Sequence, residues 1–406
     1  MPVGYLVTVT SVALSTLSAL APVRRPRPLA NLSFRLGVAV NELPFIAFYW
    51  LAASTWLAIG QGDVDSPAAW AVVGVAVLVV PGLAIVARRG MRAGPTIEYA
   101  LTKGLGTDWR TTIDAETGAG LRRRRPLARI LLRPFLRRRH DVKRVANISY
   151  GDAGRRNLLD VYHHRARPSG APVLIHLHGG GYTGGRKNSQ SLPLIYRLAS
   201  QGWVCVSANY RLRPAVRHPD HLIDYKRVIA WVREHGHEYG ADPAVLFASG
   251  TSAGGHMAAL AALTPNDPAF QPGFEDVDTS VTAVISLNGY YGNYYDQGKD
   301  SSPLGYVRSD APPFFLAHGD RDTVVPVQIA RVFADTLRSA STGPVVYAEL
   351  PGSQHAFDLF HSFRFEAVVD GAESFAAWVR TREKEHRTER TPSDGAPPSV
   401  PATSRT

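Results

Sequence analysis

The sequence predicts an α/β domain, with a mostly parallel sheet covered by helices on both faces, preceded by a membrane-spanning helical region. Three observations support this prediction. After about Lys143, short runs rich in valine and isoleucine alternate with longer amphipathic stretches. These runs are apolar along their length, which is typical of strands buried on both faces. The first third of the chain instead contains three uncharged stretches of bilayer-spanning length.

The three uncharged stretches define a hydrophobic N-terminal region, residues 1–92. They are Val3–Val23, Leu43–Gly60 and Pro67–Ala87, with 21, 18 and 21 residues, and a transmembrane helix needs about 20. Soluble core helices seldom reach this length without charge, so the last two favour membrane spans over core helices. The first could instead be a signal peptide ending near Ala21, although it lacks a basic start. We therefore expect two or three transmembrane helices.

The charge distribution predicts the orientation of these spans and argues against nucleic-acid binding. Residues 1–142 carry 18 Lys and Arg against 8 Asp and Glu, so almost all of the net charge of +11 lies there. Arginines lie between the first two spans (Arg24–Arg35) and after the third (Arg88–Arg92), whereas Asp63 and Asp65 lie in the remaining loop. Because positive loops stay inside, we expect a multi-pass cell-membrane protein with its C-terminal part in the cytoplasm.

Residues 93–142 are predicted to be a basic linker. The runs Arg122–Arg125 and Arg137–Arg139 would be attracted to anionic headgroups by about 1 kcal/mol per charge. A merely solvated basic linker is the alternative. A fragment from Lys143 onward, with nearly balanced charge, is expected to be soluble and active by itself.

The α/β domain is assigned to residues 143–383. Its predicted strands are Asn157–Tyr162, Val173–Leu177, Val204–Ala208, Val245–Ala248, Val281–Leu287, Phe314–Ala317 and Val345–Leu350. Its predicted helices are His221–His237, Ala253–Leu263, Val327–Ser339 and Phe363–Thr381. The single cysteine, Cys205, lies in a strand and excludes an internal disulfide. Residues 384–406 are rich in Pro, Ser, Thr and charge and are expected to be disordered.

A candidate nucleophile lies at the end of a predicted strand. Gly250-Thr251-Ser252-Ala253-Gly254 fits the pattern G-x-S-x-G and stands between the strand Val245–Ala248 and the helix that begins at Ala253. Gly250 and Gly254 permit a turn that exposes Ser252 Oγ, with the helix N-terminus pointing at it. An N-cap serine at an ordinary turn is the alternative.

Three consecutive glycines follow the strand Val173–Leu177, in the motif His178-Gly179-Gly180-Gly181-Tyr182. Their backbone N–H groups can approach a ligand oxygen closely, as an oxyanion site requires. The alternatives are a flexible loop and a phosphate-binding loop, but the spacing to Lys187 does not fit the latter. His176 and His178 alone do not make a metal site, and no other ligands stand nearby, so we expect no metal.

A hydroxyl nucleophile needs a base, and the base needs an orienting carboxylate. Asp320 and Asp322 follow the strand Phe314–Ala317, and His355 follows the strand Val345–Leu350. Ligands bind at this end of the strands in open α/β sheets. A serine, an aspartate and a histidine in this chain order are typical of α/β-hydrolases. Spacing alone leaves Asp320 and Asp322 open as the acid.

The sequence resembles the hormone-sensitive-lipase-like branch of α/β-hydrolase carboxylesterases, and most of all the actinobacterial Lip esterases with a hydrophobic N-terminal region. The matching blocks are HGGGY at 178–182, ANYRLRP at 208–214, DYKRVIAWVREH at 224–235, GTSAGGHMAALAALTPND at 250–267, APPFFLAHGDRDTVVP at 311–326 and ELPGSQHAFD at 349–358. The resemblance implies Asp322 as the acid, because the acid ends the family's H-G-x-x-D pattern. It also implies an oxyanion hole of Gly179, Gly180 and Ala253. Two departures, Thr251 before the serine and Gln354 before the histidine, concern substrate preference.

These residues predict a membrane-anchored serine carboxylesterase or lipase that needs no cofactor. Ser252 is the expected nucleophile, His355 the base and Asp322 the residue that orients it. The expected substrates are small-molecule or lipid esters of short to medium chain length. An amidase resembling arylformamidases and a non-catalytic membrane adaptor are the alternatives. The tyrosine-rich stretch Asn288–Tyr306 is either one wall of the acyl pocket or a surface loop. Oligomeric state does not follow from these patterns.

Overall fold

An eight-stranded sheet forms the centre of the C-terminal part, in a computed structural model that describes residues 3–121, 125–166, 169–294 and 297–390. Its strands are β1 (Val142–Ser149), β2 (Leu158–His164), β3 (Ala171–Leu177), β4 (Val204–Ala208), β5 (Ala241–Thr251), β6 (Ala283–Leu287), β7 (Phe314–Gly319) and β8 (Val345–Leu350). The spatial order is β1-β2-β4-β3-β5-β6-β7-β8. The pairs β1/β2 and β2/β4 are antiparallel, and the other pairs are parallel.

Helices cover both faces of this sheet, as its uninterrupted apolar strands require. One face packs against α10 (Asp220–His235), α11 (Ala253–Leu263) and α12 (Val327–Ala340). The other packs against α9 (Leu192–Ser200) and α13 (Phe363–Arg390). In the central strand β3, every residue is buried, and Leu174 pairs with Cys205 on one side and Phe247 on the other. The predicted strands and helices all exist, and their ends shift by at most four residues except at the C-terminus of α13.

Strand β1 was not predicted from the sequence. Its side chains alternate incompletely, because Lys143, Arg144 and Asn147 interrupt the apolar positions, and it lies at the edge of the sheet. The guanidinium of Arg144 pairs with the buried Asp160 carboxylate of β2 at 2.6 Å, with the two side chains 26% and 0% exposed. An edge strand that faces solvent needs no continuous apolar run, which explains why it gives a weak signal.

The predicted basic linker is wrong for most of its length, because residues 93–142 contain folded helices. These are α5 (Ala93–Leu105), α6 (Trp109–Thr112), α7 (Ala115–Gly118) and α8 (Leu127–Leu132). Ile97, Leu101 and Trp109 are 4%, 2% and 2% exposed and belong to the same apolar cluster as α9 and α13. The domain boundary therefore moves from Lys143 to about Ala93, and a fragment beginning at Lys143 would lose α5 and start inside β1. Of the basic runs, Arg122–Arg124 lie outside the described residues.

We expect Trp109→Ala to lower the free energy of unfolding by about 3–5 kcal/mol, because it removes a large aromatic side chain from a closed core. The matched control is Tyr99→Ala on the neighbouring helix α5, where the side chain is 68% exposed and the expected change is within about 0.5 kcal/mol. Urea denaturation of the full chain in detergent, followed by loss of tertiary signal, measures both. Equal changes in the free energy of unfolding for the two substitutions would support the original prediction that residues 93–142 are a linker.

Four helices form the N-terminal bundle: α1 (Val3–Leu20), α2 (Arg27–Glu42), α3 (Pro44–Gly60) and α4 (Pro67–Met91). Within the described residues, two helices are long and apolar enough to cross a membrane, Val3–Leu20 and the continuous Pro67–Leu105. The predicted span Leu43–Gly60 corresponds to α3, which reaches that length only together with α2, and these two meet at 88°. Helix α2 itself was expected to be a loop.

Helix α13 also differs from the prediction. It continues past Lys384 to Arg390, so the expectation of disorder is wrong for the first residues of that segment. Residues 391–406 lie outside the described residues. The extension is polar, and Lys384 Nζ lies 2.9 Å from Glu116 Oε2 of α7. Charged residues of this kind can extend a helix in solvent without a core contact.

Candidate active site

Ser252 stands on a sharp turn between β5 and α11. Its backbone has φ of +55° and ψ of −115°, and its own N–H donates to Leu287 O at 2.9 Å. The flanking glycines are required by space. A Cβ at Gly250 would lie 2.2 Å from the carbonyl carbon of Gly254, and one at Gly254 would lie 2.0 Å from Leu177 O. A positive φ is energetically unfavourable for a residue other than glycine. The backbone at Ser252 is therefore strained, and this conformation holds the hydroxyl beyond the end of the strand.

The glycine loop after β3 lies directly against this turn. A Cβ at Gly179 would lie 2.8 Å from Ser252 Cβ, which explains why glycine is needed there. Gly180 has φ of +123°, and Gly181 has φ of +58°. The ring of His178 stacks on Tyr210 with centroids 4.5 Å apart. The predicted oxyanion loop and the predicted nucleophile are therefore neighbours in space.

One predicted oxyanion donor is engaged elsewhere. The Gly179 N–H donates to the side-chain oxygen of Gln190 at 2.6 Å, so it does not point into an open site. The N–H of Ala253 is different, because it belongs to the first turn of α11 and has no acceptor within the helix. In this structure the Gly179 N–H is therefore occupied by Gln190, and the oxyanion hole of Gly179, Gly180 and Ala253 stays a prediction.

His355 and Asp322 lie together at the ends of β8 and β7. The His355 Nδ1–H donates to Asp322 Oδ2 at 2.6 Å. The other carboxylate oxygen accepts from the backbone N–H groups of Val324 and Val325 at 2.8 and 2.7 Å. This arrangement leaves His355 Nε2 as the nitrogen without the carboxylate partner. His318 also lies 3.4 Å from Asp322 Oδ2 through its Nε2.

Burial and charge shift the pKa values of Asp322 and His355 in directions that favour an ion pair between them. Burial alone would raise the pKa of Asp322, but the charge of His355 and hydrogen bonds from His318 and His355 lower it well below its ordinary range. Burial alone would lower the pKa of His355, but the Asp322 carboxylate outweighs burial and raises it. Asp322 is thus ionised at neutral pH and stabilises a protonated imidazole.

Asp320 has different surroundings, which separates the two candidate acids. Its main-chain N–H donates to Leu350 O at 3.2 Å, and its carbonyl accepts from Arg24 Nη2 at 3.5 Å. Its buried Oδ1 atom has no hydrogen-bond partner among the described residues. Burial raises the pKa of this carboxyl, partly offset by Arg321. The geometry therefore brings Asp322, and not Asp320, to the candidate histidine.

His176 lies in β3 away from a ligand set. Its Nδ1 is 3.1 Å from Ser249 Oγ, and burial together with the nearby His178 lowers its pKa to about 3. Within the described ranges, no group of three or more His, Cys, Asp or Glu side chains could hold a metal ion. A neutral, buried histidine bound to a serine is a packing element of the sheet.

Two residues at the site were missed in the sequence. Asp358 is fully buried, and its Oδ2 accepts from Thr251 Oγ1 at 2.8 Å and from Ser191 Oγ at 2.6 Å, directly below the nucleophile turn. Thr251 stands where the resemblance leads one to expect an acid, so Asp358 supplies a carboxylate from another loop. Phe34 of α2 contacts the His355 ring edge-on, with centroids 6.2 Å apart. Asp358 lies in a matching block, whereas Phe34 gave no signal.

The tyrosine-rich stretch divides between two environments. Tyr291 is 1% exposed and stacks on Phe333 with centroids 4.2 Å apart, so it packs in the core. Tyr294 is also buried and meets Tyr182 of the glycine loop at 4.2 Å. Tyr295 lies outside the described residues. Tyr294, beside the glycine loop, therefore stays a candidate wall of the acyl pocket.

A large cleft lies elsewhere on the α/β domain. A cleft of about 780 Å³ lies between α5, α6, α7 and α13, and none of its lining residues is a histidine. Ser252, Asp322 and His355 instead follow the C-terminal ends of β5, β7 and β8, at one edge of the sheet. Chemistry, and not volume, identifies the candidate active site.

Comparisons with known proteins point to ester hydrolysis. A family model described as BD-FAE matches residues 159–292 and 278–337. The chain is 39% identical to the probable carboxylic ester hydrolase LipM of Mycobacterium tuberculosis, over 93% of this chain and 93% of that protein. It is also 39% identical to the esterase LipQ of the same organism, over 72% and 76%. Esterase 2 of Thermogutta terrifontis phosphorylated by paraoxon matches with 25% identity and a TM-score of 0.51, over 57% of this chain and 92% of that one.

Proposed function

The chain belongs to the hormone-sensitive-lipase-like α/β-hydrolase family of carboxylic ester hydrolases, and from this premise we propose that it is a membrane-anchored serine esterase. In this proposal Ser252 is the nucleophile, His355 the general base and Asp322 the carboxylate that orients it. The observation that carries the proposal is the 2.6 Å hydrogen bond from His355 to Asp322, at the same sheet edge as a serine on a strained strand-to-helix turn.

The proposed reaction has two stages. Ser252 Oγ attacks the ester carbonyl while its proton passes to His355 Nε2, and the tetrahedral oxyanion accepts hydrogen bonds from the Gly180 and Ala253 N–H groups. The ester C–O bond then breaks, and the alcohol leaves with the proton from His355. In the second stage water attacks the acyl group, His355 takes its proton, and the acid departs as Ser252 regains its hydrogen.

Membrane anchoring is supported by what the N-terminal bundle leaves exposed. Large apolar side chains face outward on its helices, among them Val3, Trp56 and Leu78 at 76%, 82% and 77% exposure. Helix α4 has 25 residues, which corresponds to about 37 Å at 1.5 Å per residue and exceeds a hydrocarbon core of about 30 Å. A water-soluble protein would leave much of this apolar surface in contact with solvent, whereas a bilayer would cover it.

The proposed sidedness rests on which end of the bundle meets the α/β domain. Arg24 and Arg89 lie at that end, where Arg89 Nη1 donates to Leu20 O at 3.2 Å and Arg24 contacts Asp320. Asp63 and Asp65 lie in the loop between α3 and α4, at the opposite end of the long helix α4. Because arginine-rich ends remain in the cytoplasm, we propose that the esterase domain is cytoplasmic.

The test of the catalytic proposal is labelling by a fluorophosphonate, which reacts with an activated serine. The full chain is expected to be labelled, and Ser252→Ala is expected to lose all labelling, while Ser249→Ala on the same strand keeps it. The probe suits this chain because a structural relative is phosphorylated by paraoxon. Labelling that persists in Ser252→Ala would assign the nucleophile to another residue.

The anchoring proposal predicts that the full chain stays in the membrane fraction after an alkaline carbonate wash. Spanning helices resist such a wash because their apolar surface remains in lipid, whereas surface-bound proteins are released. Release of the chain into the wash would contradict spanning. The side of the membrane on which the esterase domain lies is tested separately by a reporter that is active only in the cytoplasm, fused after the last residue, Thr406.

A further inference from the structure

Helix α2 separates the candidate active site from the outer surface of the bundle. At about 100° per residue, Phe34 lies on roughly the opposite side of this helix from Leu29, Leu32 and Leu36. Phe34 is half-buried and its ring meets His355. The three leucines are 50%, 51% and 38% exposed. The helix thus presents an aromatic ring to the catalytic imidazole and a leucine stripe, Leu29, Leu32 and Leu36, to the outside.

Buried polar contacts fix α2 in this position. The Glu42 carboxylate pairs with Arg364 and accepts from Ser362 Oγ at 2.7 Å, with Glu42 and Arg364 side chains each 1% exposed. Gly37 permits close packing on α1, because a Cβ there would lie 3.1 Å from the Ala19 nitrogen. Breaking a buried ion pair is costly, so α2 belongs to the catalytic unit as well as to the bundle.

A second apolar and basic segment flanks the same catalytic loop. Among the described residues from Ala93 onward, seven large apolar side chains are exposed, and four of them lie close together: Leu127, Leu132, Phe135 and Leu136. Phe135 packs against Phe360, with centroids 5.5 Å apart, and the His361 N–H donates to Pro134 O at 3.1 Å. Both contacts join this segment to the loop that begins at His355.

Both segments carry arginines and nearly no acids. Arg27 and Arg35 accompany the leucine stripe, and Arg129, Arg133 and Arg137 accompany the second segment. Amphipathic segments with exposed leucines and a basic flank bind the interface of anionic membranes. Helix α2 also packs against α1, which is long and apolar enough to span a bilayer. A lipid surface therefore matches this face in both charge and apolarity.

From these contacts we infer that the substrate is an ester-containing lipid of the membrane itself, which reaches Ser252 from the leaflet beside α2, with Phe34 in contact with its acyl chain. This inference rests on the proposed esterase function and narrows its substrate class. A lipid delivered from the leaflet need not expose its acyl chain to water, and each methylene kept out of water favours this route. A soluble ester must instead approach the same site from the aqueous side.

The inference is tested with the full chain in vesicles of phosphatidylcholine and phosphatidylglycerol. Two substrates are compared, a long-chain fluorogenic diacylglycerol in the vesicles and p-nitrophenyl butyrate in solution, and the readout is the ratio of their rates. The triple variant L29Q/L32Q/L36Q is expected to lower this ratio by about tenfold. The single variant Leu32→Gln is compared with the control variant Val332→Gln on α12, because the two side chains are almost equally exposed, at 51% and 52%. Only Leu32→Gln is expected to lower the ratio.

The variant Phe34→Ala tests the inference independently of the leucine variants. It is expected to raise KM for the vesicle ester about tenfold more than KM for butyrate, since the lost contact is to a long acyl chain. Equal loss of kcat for both esters would show that Phe34 only positions the imidazole and would overturn its role at the entrance. An unchanged rate ratio in the triple variant would overturn entry from the leaflet. Failure to hydrolyse butyrate or to react with the fluorophosphonate would instead refute the esterase proposal on which the inference rests.

Discussion

Substitution of Ser252 by alanine is expected to lower kcat for ester hydrolysis by about 10⁵- to 10⁶-fold, because the acyl-enzyme can no longer form. His355→Ala is expected to cause a loss of similar size, since the hydroxyl is a poor nucleophile without a base. The double variant should be no worse than either single one, because the two groups act as a unit. Initial rates with p-nitrophenyl butyrate measure all three.

The matched control for Ser252 is Ser249→Ala, three residues earlier on β5. Its hydroxyl is buried beside His176, so it shares the strand and the burial of the nucleophile without its position on the turn. We expect its kcat to stay within a few-fold of the parent. A Ser252→Ala variant that folds and retains more than a tenth of the parent activity would refute the assignment, and circular dichroism checks the fold of each variant.

Asp322→Asn is expected to lower kcat by about 10⁴-fold, because an amide cannot stabilise the imidazolium and favours the wrong histidine tautomer. Asp320→Asn is the matched control two residues earlier in the same loop. It is expected to change kcat by less than tenfold, since Asp320 contacts Arg24 and Leu350 through its backbone and not His355. The reverse ranking would make Asp320 the orienting acid.

The pH dependence of kcat/KM tests the same contact through its charge. His355 acts as a base only when neutral, and its pKa is raised above the ordinary 6.5 because the effect of Asp322 outweighs that of burial. Activity should therefore rise with pH through a pKa above 6.5. Asp322→Asn removes the carboxylate charge. The rise of kcat/KM with pH, measured on the residual activity of this variant, should therefore move to lower pH. A rise of kcat/KM at the same pH in Asp322→Asn as in the parent would contradict the ion pair between His355 and Asp322.

Residues at strand ends were the most predictable part of the molecule. The order of Ser252, Asp322 and His355 along the chain, each after an apolar run, indicated that they lie at one edge of the sheet. Glycine patterns worked for the same reason, because the demand for positive φ or close approach is local. Ser252 as nucleophile and Asp322 and His355 as its partners remain predictions for the experiments above.

The edge strand of the sheet and the contacts between distant segments were less predictable. Strand β1 is half solvated, so it lacks the apolar run that marks β3, and α5 was hidden in a segment whose arginines suggested a linker. The engagement of Gly179 by Gln190 could not be read from the glycine motif, because the partner is a side chain from a different part of the loop. Asp358 likewise reaches Thr251 only after the chain has folded.

By itself, the sequence determined the α/β class, the apolar N-terminal region and the candidate residues, because periodicity, glycine geometry and chain order are properties of neighbouring residues. Tertiary structure alone decided that residues 93–142 close the core, that α2 is a helix set at 88° to α3, and that Phe34 touches His355. These features depend on pairs of residues far apart in the chain. Their contact energy arises only when separate apolar and charged surfaces exclude water together, so no local pattern records them.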